Sequence, residues 1–104
     1  FTDAKFMILA FKAKQKLKDE APAIVHVDGT TRVQIVEKEY NPNYHDLISS
    51  FKKITGVPVL MNTSFNIKGE PIVTSPTDAL RTFWATGLEV FAIEDFIIVK
   101  PGVN

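Results

Sequence analysis

Apolar side chains recur with a helical period between Pro42 and Gly56, and this pattern predicts an amphipathic helix. The spacing i, i+3, i+4 and i+7 places four of them on one helix face: Tyr44, Leu47, Ile48 and Phe51. Gly56 follows the last turn and is expected to end the helix, because glycine adopts the left-handed conformation of a C-cap without strain.

A second helix is predicted to begin after Ser75 and to end at Gly87. Ser75 is a favoured N-cap residue, Pro76 suits the first helical position, and Asp78 is placed to complete a capping box. The same helical period predicts a buried stripe made up of Ala79, Leu80, Phe83 and Trp84.

Short apolar runs predict the β-strands. Residues 6–11 are apolar throughout and predict a strand that is covered on both faces, with a turn of buried helix as the alternative. Residues 57–61 predict a buried strand. Two further strands are predicted at residues 89–93 and 96–100, separated by two acidic residues. Helices and strands alternate along the chain, so we predict a mixed α/β (α+β) fold with two main helices.

The segment from residue 23 to residue 36 predicts a β-hairpin with a turn at residues 28–30. A three-residue loop places four apolar side chains on one face: Val25, Val27, Val33 and Ile35. A loop with an even number of residues would mix polar and apolar side chains on both faces, so the three-residue loop is preferred. Three polar side chains then share the opposite face: His26, Arg32 and Gln34.

The sequence has 104 residues with 12 basic and 12 acidic side chains, 45% hydrophobic residues and no cysteine. This length suits one modest core, so residues 1–104 are assigned to a single domain. A net charge of zero argues against nucleic acid or an anionic membrane as the main partner. No apolar run approaches the roughly 20 residues that cross a bilayer. With no cysteine to suggest an oxidising compartment, we expect a cytoplasmic protein.

The polar-rich segment that follows residues 57–61 is the strongest candidate binding segment: Asn62, Thr63, Ser64, Phe65 and Asn66. Ligands bind at the carboxyl ends of strands in α/β sheets. Amide and hydroxyl side chains can there supply uncharged donors to a phosphate, carboxylate or carbonyl group. The alternative is a turn in which these side chains bond to their own backbone.

Arg32 is the candidate for anion recognition, because its guanidinium presents a planar fork that matches phosphate or carboxylate. The alternative is an ordinary surface arginine. His26 could bind a ligand, transfer a proton or be purely structural. His45 lies beside Asp46 on the first predicted helix and is expected to face solvent. The two histidines are far apart and no paired carboxylates flank them, so no metal site is predicted in this chain.

Four segments resemble, in the same order, the carboxy-terminal region of nodulation-type carbamoyltransferases, which include O-carbamoyltransferases acting on antibiotics and nodulation factors. The segments are HVDGTTRVQ (residues 26–34), TGVPVLMNTSFN (55–66), GEPIV (69–73) and PTDAL (76–80). The resemblance extends from about residue 6 to about residue 99. Four motifs in one order make it more specific than any one motif alone.

The resemblance implies a two-part enzyme. Its carboxy-terminal domain is similar to the YrdC fold, an open twisted mixed β-sheet of which this chain would form part. That domain makes carbamoyl-adenylate from carbamoyl phosphate and ATP. An amino-terminal domain of the actin-like ATPase class then transfers the carbamoyl group to a substrate hydroxyl, with help from a metal in that domain.

The resemblance also implies functions for particular residues. Ser64 and Asn66 match the Ser-x-Asn pair that holds the nucleotide and the carbonyl-derived group in YrdC-like proteins. Arg32 is expected to act with them by neutralising phosphate or carboxylate charge. Four further side chains are expected to line the same cavity: His26, Gln34, Asn62 and Thr63.

The sequence departs from the family pattern in two respects. It contains no Lys-x-Arg pair, which YrdC-like proteins use beside the Ser-x-Asn pair, and it contains no amino-terminal transferase domain. We therefore expect a fragment of a longer carbamoyltransferase that is inactive, or nearly so, by itself. The alternative is a non-catalytic YrdC-like module that binds a nucleotide or a partner protein.

Overall fold

The computed structural model of the protein describes residues 4–103. The chain divides into two compact units, Phe1–Asn62 and Thr63–Asn104. The first unit contains β1 (Ala10–Lys12), α1 (Gln15–Glu20), a short 3-10 helix (Pro22–Ile24), β2 (Thr30–Arg32) and α2 (Pro42–Thr55). The second unit contains α3 (Pro76–Ala85), β3 (Val90–Ile93) and β4 (Phe96–Val99).

The two strands of the first unit pair in antiparallel register, with Phe11 opposite Thr31. Thr31 is buried, and its hydroxyl donates a hydrogen bond to the carbonyl oxygen of Ile24 at 2.7 Å. This bond satisfies a buried polar side chain and ties the 3-10 helix to the sheet.

The ends of α2 confirm the first predicted helix. Asn41 caps its amino terminus by accepting a hydrogen bond from the backbone N–H of Tyr44 at 3.3 Å. Gly56 ends the helix in the left-handed conformation, with φ of 81°, and its N–H bonds to the carbonyl oxygen of Lys52 at 2.8 Å. The expected apolar stripe is present along the helix, but none of the side chains of α2 is buried.

The second predicted helix is confirmed by α3. Ser75 caps it by accepting a hydrogen bond from the backbone N–H of Asp78 at 3.1 Å, and the Asp78 carboxylate pairs with Arg81 at 3.2 Å. Phe83 is buried as predicted, whereas Trp84 is 53% exposed. The buried face of α3 is formed by Ala79, Thr82 and Phe83, and Trp84 lies beyond its edge because successive helical residues point about 100° apart.

Aromatic rings build the core of the second unit. Phe91, on β3, stacks on Phe83 of α3 at a centroid distance of 5.4 Å and on Phe65 at 5.5 Å. The β3–β4 hairpin confirms the two predicted carboxy-terminal strands, with Ile93 opposite Phe96. Lys100 places its ammonium 4.9 Å from the centre of the Phe83 ring, and its Nζ donates to the carbonyl oxygen of Thr86.

The α+β class is confirmed, but its strands are distributed differently from the prediction. Within residues 4–103 they form two separate two-stranded antiparallel sheets, β1 with β2 and β3 with β4, rather than one open mixed sheet. Residues 57–61 are not a strand, because none of the described strands pairs with them. The single-domain assignment and the YrdC-like arrangement stay predictions.

The predicted strand at residues 6–11 is corrected by the structure. The strand begins at Ala10, because Met7 has a positive φ of 57° that an extended strand does not allow. Phe6 and Ile8 are largely exposed rather than covered on both faces. An apolar run without period carries no signal for such an interruption.

The predicted hairpin of residues 23–36 is wrong in its first arm. Pro22 begins a 3-10 helix, which its fixed φ favours, and β2 pairs with β1 instead. The turn at residues 28–30 is present, since the backbone N–H of His26 bonds to the carbonyl oxygen of Thr30 at 2.7 Å. Val27 is fully exposed, so the predicted apolar face does not form.

Candidate functional site

Asp28 organises the turn that leads into β2. Its Oδ1 accepts a hydrogen bond from the hydroxyl of Thr30 at 2.7 Å and another from the Thr30 backbone N–H at 2.9 Å. These bonds hold the pKa of the Asp28 carboxyl below its ordinary value, the hydroxyl contributing most. Gly29 fits the turn because its φ is 79°.

His26 is attached to the same turn. Its Nδ1 lies 3.1 Å from the Thr30 hydroxyl oxygen, so His26, Thr30 and Asp28 form a continuous chain of polar contacts. His26 is exposed.

Arg32 ends β2 and lies opposite Ala10 in the sheet. Side chains alternate along a strand, and the buried Thr31 separates Thr30 from Arg32, so these two residues share the other face. The Arg32 guanidinium is exposed and forms no ion pair with any residue that the structure describes. His26, held by Thr30, and Arg32 are thereby placed on one side of β2.

Gln34 lies beyond the end of β2 and His26 lies in the turn before it, so the predicted sharing of one hairpin face by His26, Arg32 and Gln34 is wrong. Gln34 borders a cavity of about 410 Å³ within the first unit. Lys5 and Glu37 also border it and form an ion pair at 3.3 Å, and the Lys5 ammonium lies 4.8 Å from the centre of the Tyr40 ring.

The candidate segment at residues 62–66 is divided between the two units. Asn62 ends the first unit, and its Nδ2 lies 3.4 Å from the sulfur of Met7. Thr63 and Ser64 begin the second unit; both are exposed, and their hydroxyls have no hydrogen-bond partner among residues 4–103. Phe65 follows them and is fixed in the core by its stacking on Phe91.

Asn66 organises the loop that follows. Its Nδ2 donates to the carbonyl oxygens of Ile67 at 3.2 Å and of Glu70 at 3.0 Å. Both amide hydrogens are therefore engaged by the loop, and Oδ1 is the polar atom that Asn66 can offer to a ligand. This is the backbone-bonding alternative that the sequence left open, realised for Asn66 and not for Ser64.

For Asp28 and Thr30 the sequence predicts only a role in forming the turn. Thr30 and Asp28 are the groups that fix the histidine ring. The signal in the sequence was the Asp28-x-Thr30 spacing of an Asx turn placed two residues after a histidine. The spacing alone does not reveal which partner the hydroxyl contacts, because that depends on the side-chain rotamers.

Residues 4–103 offer neither a metal site nor a membrane-spanning helix. No group of three or more histidine, cysteine, aspartate or glutamate side chains is placed to hold a metal ion there. None of the helices in this range is long and apolar enough to cross a membrane.

The chain belongs to the carbamoyltransferase C-terminus family, whose model matches residues 1–100. The match confirms the resemblance carried by the four sequence motifs. It covers nearly the whole chain, including both units.

Relatives are found in bacteria and archaea. The chain is 43% identical over 95 residues to the nodulation protein NolO of Bradyrhizobium diazoefficiens, covering 91% of this chain. It is 41% identical over 95 residues to the nodulation protein NolNO of Sinorhizobium fredii, also covering 91% of this chain. It is 42% identical over 96 residues, 92% of this chain, to the uncharacterized protein MJ1058 of Methanocaldococcus jannaschii.

These relatives are much longer than the sequence. The aligned part corresponds to 17% of NolO, 14% of NolNO and 16% of MJ1058. The chain thus spans about one sixth of the length of the relatives it matches.

Proposed function

We propose that this chain acts within a longer carbamoyltransferase, where it helps to bind ATP and carbamoyl phosphate and to form carbamoyl-adenylate. An actin-like, metal-assisted domain of the same polypeptide would then transfer the carbamoyl group to a substrate hydroxyl. Membership of the carbamoyltransferase C-terminus family supports the proposal. The structural observation that carries it is the exposed Arg32, a cation without an ion-pair partner in the described part of the chain.

Arg32 is proposed to stabilise negative charge on phosphate oxygens. Forming an adenylate requires attack at the α-phosphorus of ATP, and charge is redistributed over phosphate oxygens in the transition state. Catalysis of such a step is mainly positioning and electrostatic stabilisation. The backbone of Arg32 is held by the pairing of β2 with β1, so less conformational freedom has to be lost when Arg32 binds an anion.

Ser64 is proposed to donate a hydrogen bond to the nucleotide or to the carbonyl-derived group. It is exposed, and it directly precedes Phe65, whose ring is stacked in the core. Asn66 holds the following loop and can accept a hydrogen bond through Oδ1. Four residues are proposed as further binding groups: His26, Gln34, Asn62 and Thr63.

The proposal is tested in the full-length enzyme by carbamoyl-phosphate-dependent release of pyrophosphate from ATP. Replacing Arg32 or Ser64 by alanine is expected to lower kcat/KM by about 100-fold or more, as for the loss of one preorganised donor. Arg32→Lys is expected to recover part of the activity, because it keeps the charge but loses the planar fork.

Two matched controls separate this effect from general damage. Arg81→Ala removes an exposed arginine of α3, and Ser50→Ala removes an exposed serine of α2. Both are expected to retain near-normal pyrophosphate release. Near-normal activity in Arg32→Ala and Ser64→Ala as well would overturn the assignment.

A further inference from the structure

Three phenylalanine rings stack in a row within the second unit. The ring of Phe91, on β3, lies 5.5 Å from the ring of Phe65, with the two planes inclined at 30°. It lies 5.4 Å from the ring of Phe83, on α3, with the planes inclined at 25°. Both centroid distances fall within the range of about 4.5–7 Å that aromatic pairs prefer. Phe83 is fully buried, so the row connects the core of this unit to the segment that contains Phe65.

Hydrogen bonds hold the same segment through its backbone. The carbonyl oxygen of Phe65 accepts from the N–H of Val73 at 3.0 Å. Within the intervening loop, the N–H of Glu70 bonds to the carbonyl oxygen of Ile67 at 2.9 Å, and Asn66 Nδ2 donates to the carbonyl oxygens of both residues. The loop is thus closed on itself, and Phe65 at its start is held through its ring and through its backbone.

Ser64 directly precedes this fixed residue. Its side chain is exposed, and its hydroxyl has no hydrogen-bond partner among residues 4–103. Its Cα lies about 3.8 Å from the Cα of Phe65, the distance across a trans peptide bond. A serine side chain has one χ angle with three staggered positions. The place that the Ser64 hydroxyl can reach is therefore set by where Phe65 is held.

We propose that Phe91 is a positioning residue for Ser64: its ring holds Phe65 and thereby places the Ser64 hydroxyl for the ligand. The inference rests on the function proposed above for Ser64. A group that is already in place loses little conformational freedom when a ligand binds, and a displacement of about 1 Å can lower a rate about 100-fold. Phe91 contributes to the reaction in this way without touching the substrate.

Pyrophosphate release by the full-length enzyme measures this contribution. Phe91→Leu keeps an apolar side chain but removes the ring, and it is expected to lower kcat/KM about 10-fold, part of what a 1 Å displacement costs. Phe91→Tyr keeps the ring and is expected to recover most of this loss. Phe83→Leu is the matched control, because it removes a more deeply buried ring and leaves the Phe91–Phe65 pair. It is expected to lower the urea unfolding midpoint at least as much as Phe91→Leu, but kcat/KM clearly less.

A double-mutant cycle separates positioning from general damage. Ser64→Ala removes the hydroxyl that is to be positioned, so adding Phe91→Leu to it is expected to lower kcat/KM further by no more than about 2-fold, the usual deviation from additivity. Added to Arg81→Ala, which alters an exposed residue of α3, Phe91→Leu is expected to retain its full effect. An equal loss in the two backgrounds would overturn the proposal, because damage to the fold does not depend on the Ser64 hydroxyl.

Amide hydrogen exchange of the full-length protein reports the same contact independently of activity. The N–H of Val73, whose acceptor is the carbonyl oxygen of Phe65, is expected to exchange about 5-fold faster in Phe91→Leu than in Phe83→Leu, the worth of one aromatic pair. Unchanged exchange of Val73 in Phe91→Leu would overturn the positioning role. Faster exchange in an enzyme that releases no pyrophosphate with carbamoyl phosphate would overturn only the proposed reaction.

Discussion

Phe91 of β3 stacks on Phe83 of α3, with ring centroids 5.4 Å apart and planes inclined at 25°. Phe91 also stacks on Phe65, with a centroid distance of 5.5 Å. Phe65 lies directly between Ser64 and Asn66 in the sequence. The aromatic core of the second unit therefore also fixes the backbone from which the two candidate binding side chains project.

Phe83→Ala is expected to remove the centre of this core. Phe83 is fully buried, and replacing a buried phenylalanine by alanine lowers the free energy of unfolding by about 3–5 kcal/mol. Urea unfolding followed by circular dichroism measures the change. Trp84→Ala, which alters a half-exposed neighbour on the same helix, serves as the control and should cost clearly less; equal losses would contradict the assigned packing.

Ser75→Ala is expected to weaken the start of α3. The substitution removes the oxygen that accepts from the backbone N–H of Asp78, and loss of an N-cap typically costs about 1 kcal/mol. The comparison is with Ser50→Ala, in which an exposed serine inside α2 is replaced by a better helix former. Unfolding midpoints in urea should fall for Ser75→Ala and stay level or rise for Ser50→Ala.

Gly56→Ala is expected to destabilise the end of α2. Gly56 has φ of 81°, and a residue with a Cβ atom pays roughly 1–2 kcal/mol in the left-handed region. Gly87→Ala is the matched control, because Gly87 has no positive φ and no heavy atom within 4 Å of an added Cβ. It should be neutral or slightly stabilising by reducing the entropy of the unfolded chain. A similar loss in both variants would contradict the assigned cap.

The turn at Asp28 is expected to lose stability in acid. The pKa of Asp28 is lower in the folded protein than in the unfolded chain, where an aspartate titrates at about 3.9. Its contribution to stability is therefore present above pH of about 4 and is lost as the pH falls through the lowered folded value. Asp28→Asn should be less stable than the wild type at pH 6, and the difference should shrink at pH 3.

Unfolding midpoints measured between these pH values test this sign. Thr30→Val should show a reduced but not abolished acid dependence, because it removes the hydroxyl bond and keeps the bond from the Thr30 backbone N–H. A difference between wild type and Asp28→Asn that grows toward acid would contradict the assignment.

Local signals in the sequence were sufficient for α2, α3 and the last pair of strands, but not for α1 or the 3-10 helix. The caps Ser75 and Gly56 act on backbone groups within a few residues, so their effect does not depend on the rest of the fold. The β3–β4 hairpin likewise pairs neighbouring segments across two residues. The family resemblance was also present in the sequence, because motif order is independent of how the strands pair.

Pairing between distant segments could not be predicted in this way. β2 joins β1 rather than the residues just before its turn, since a strand pairs with whichever segment presents unpaired N–H and C=O groups in matching register. The positive φ of Met7 could not be predicted either, because an apolar run does not specify where the chain must bend to reach its contacts.

The sequence by itself determined the α+β class, both ends of α2, the start of α3, the carboxy-terminal hairpin and the family to which the chain belongs. Only the tertiary structure decided which polar side chains meet. In the folded chain the Asn66 side chain donates to a carbonyl oxygen of its own loop. His26 contacts the Thr30 hydroxyl, which in turn donates to Asp28. The physical reason is that a cap or a helical period is local, whereas a contact such as that of His26 depends on a rotamer and on the partner that the folded backbone places within reach.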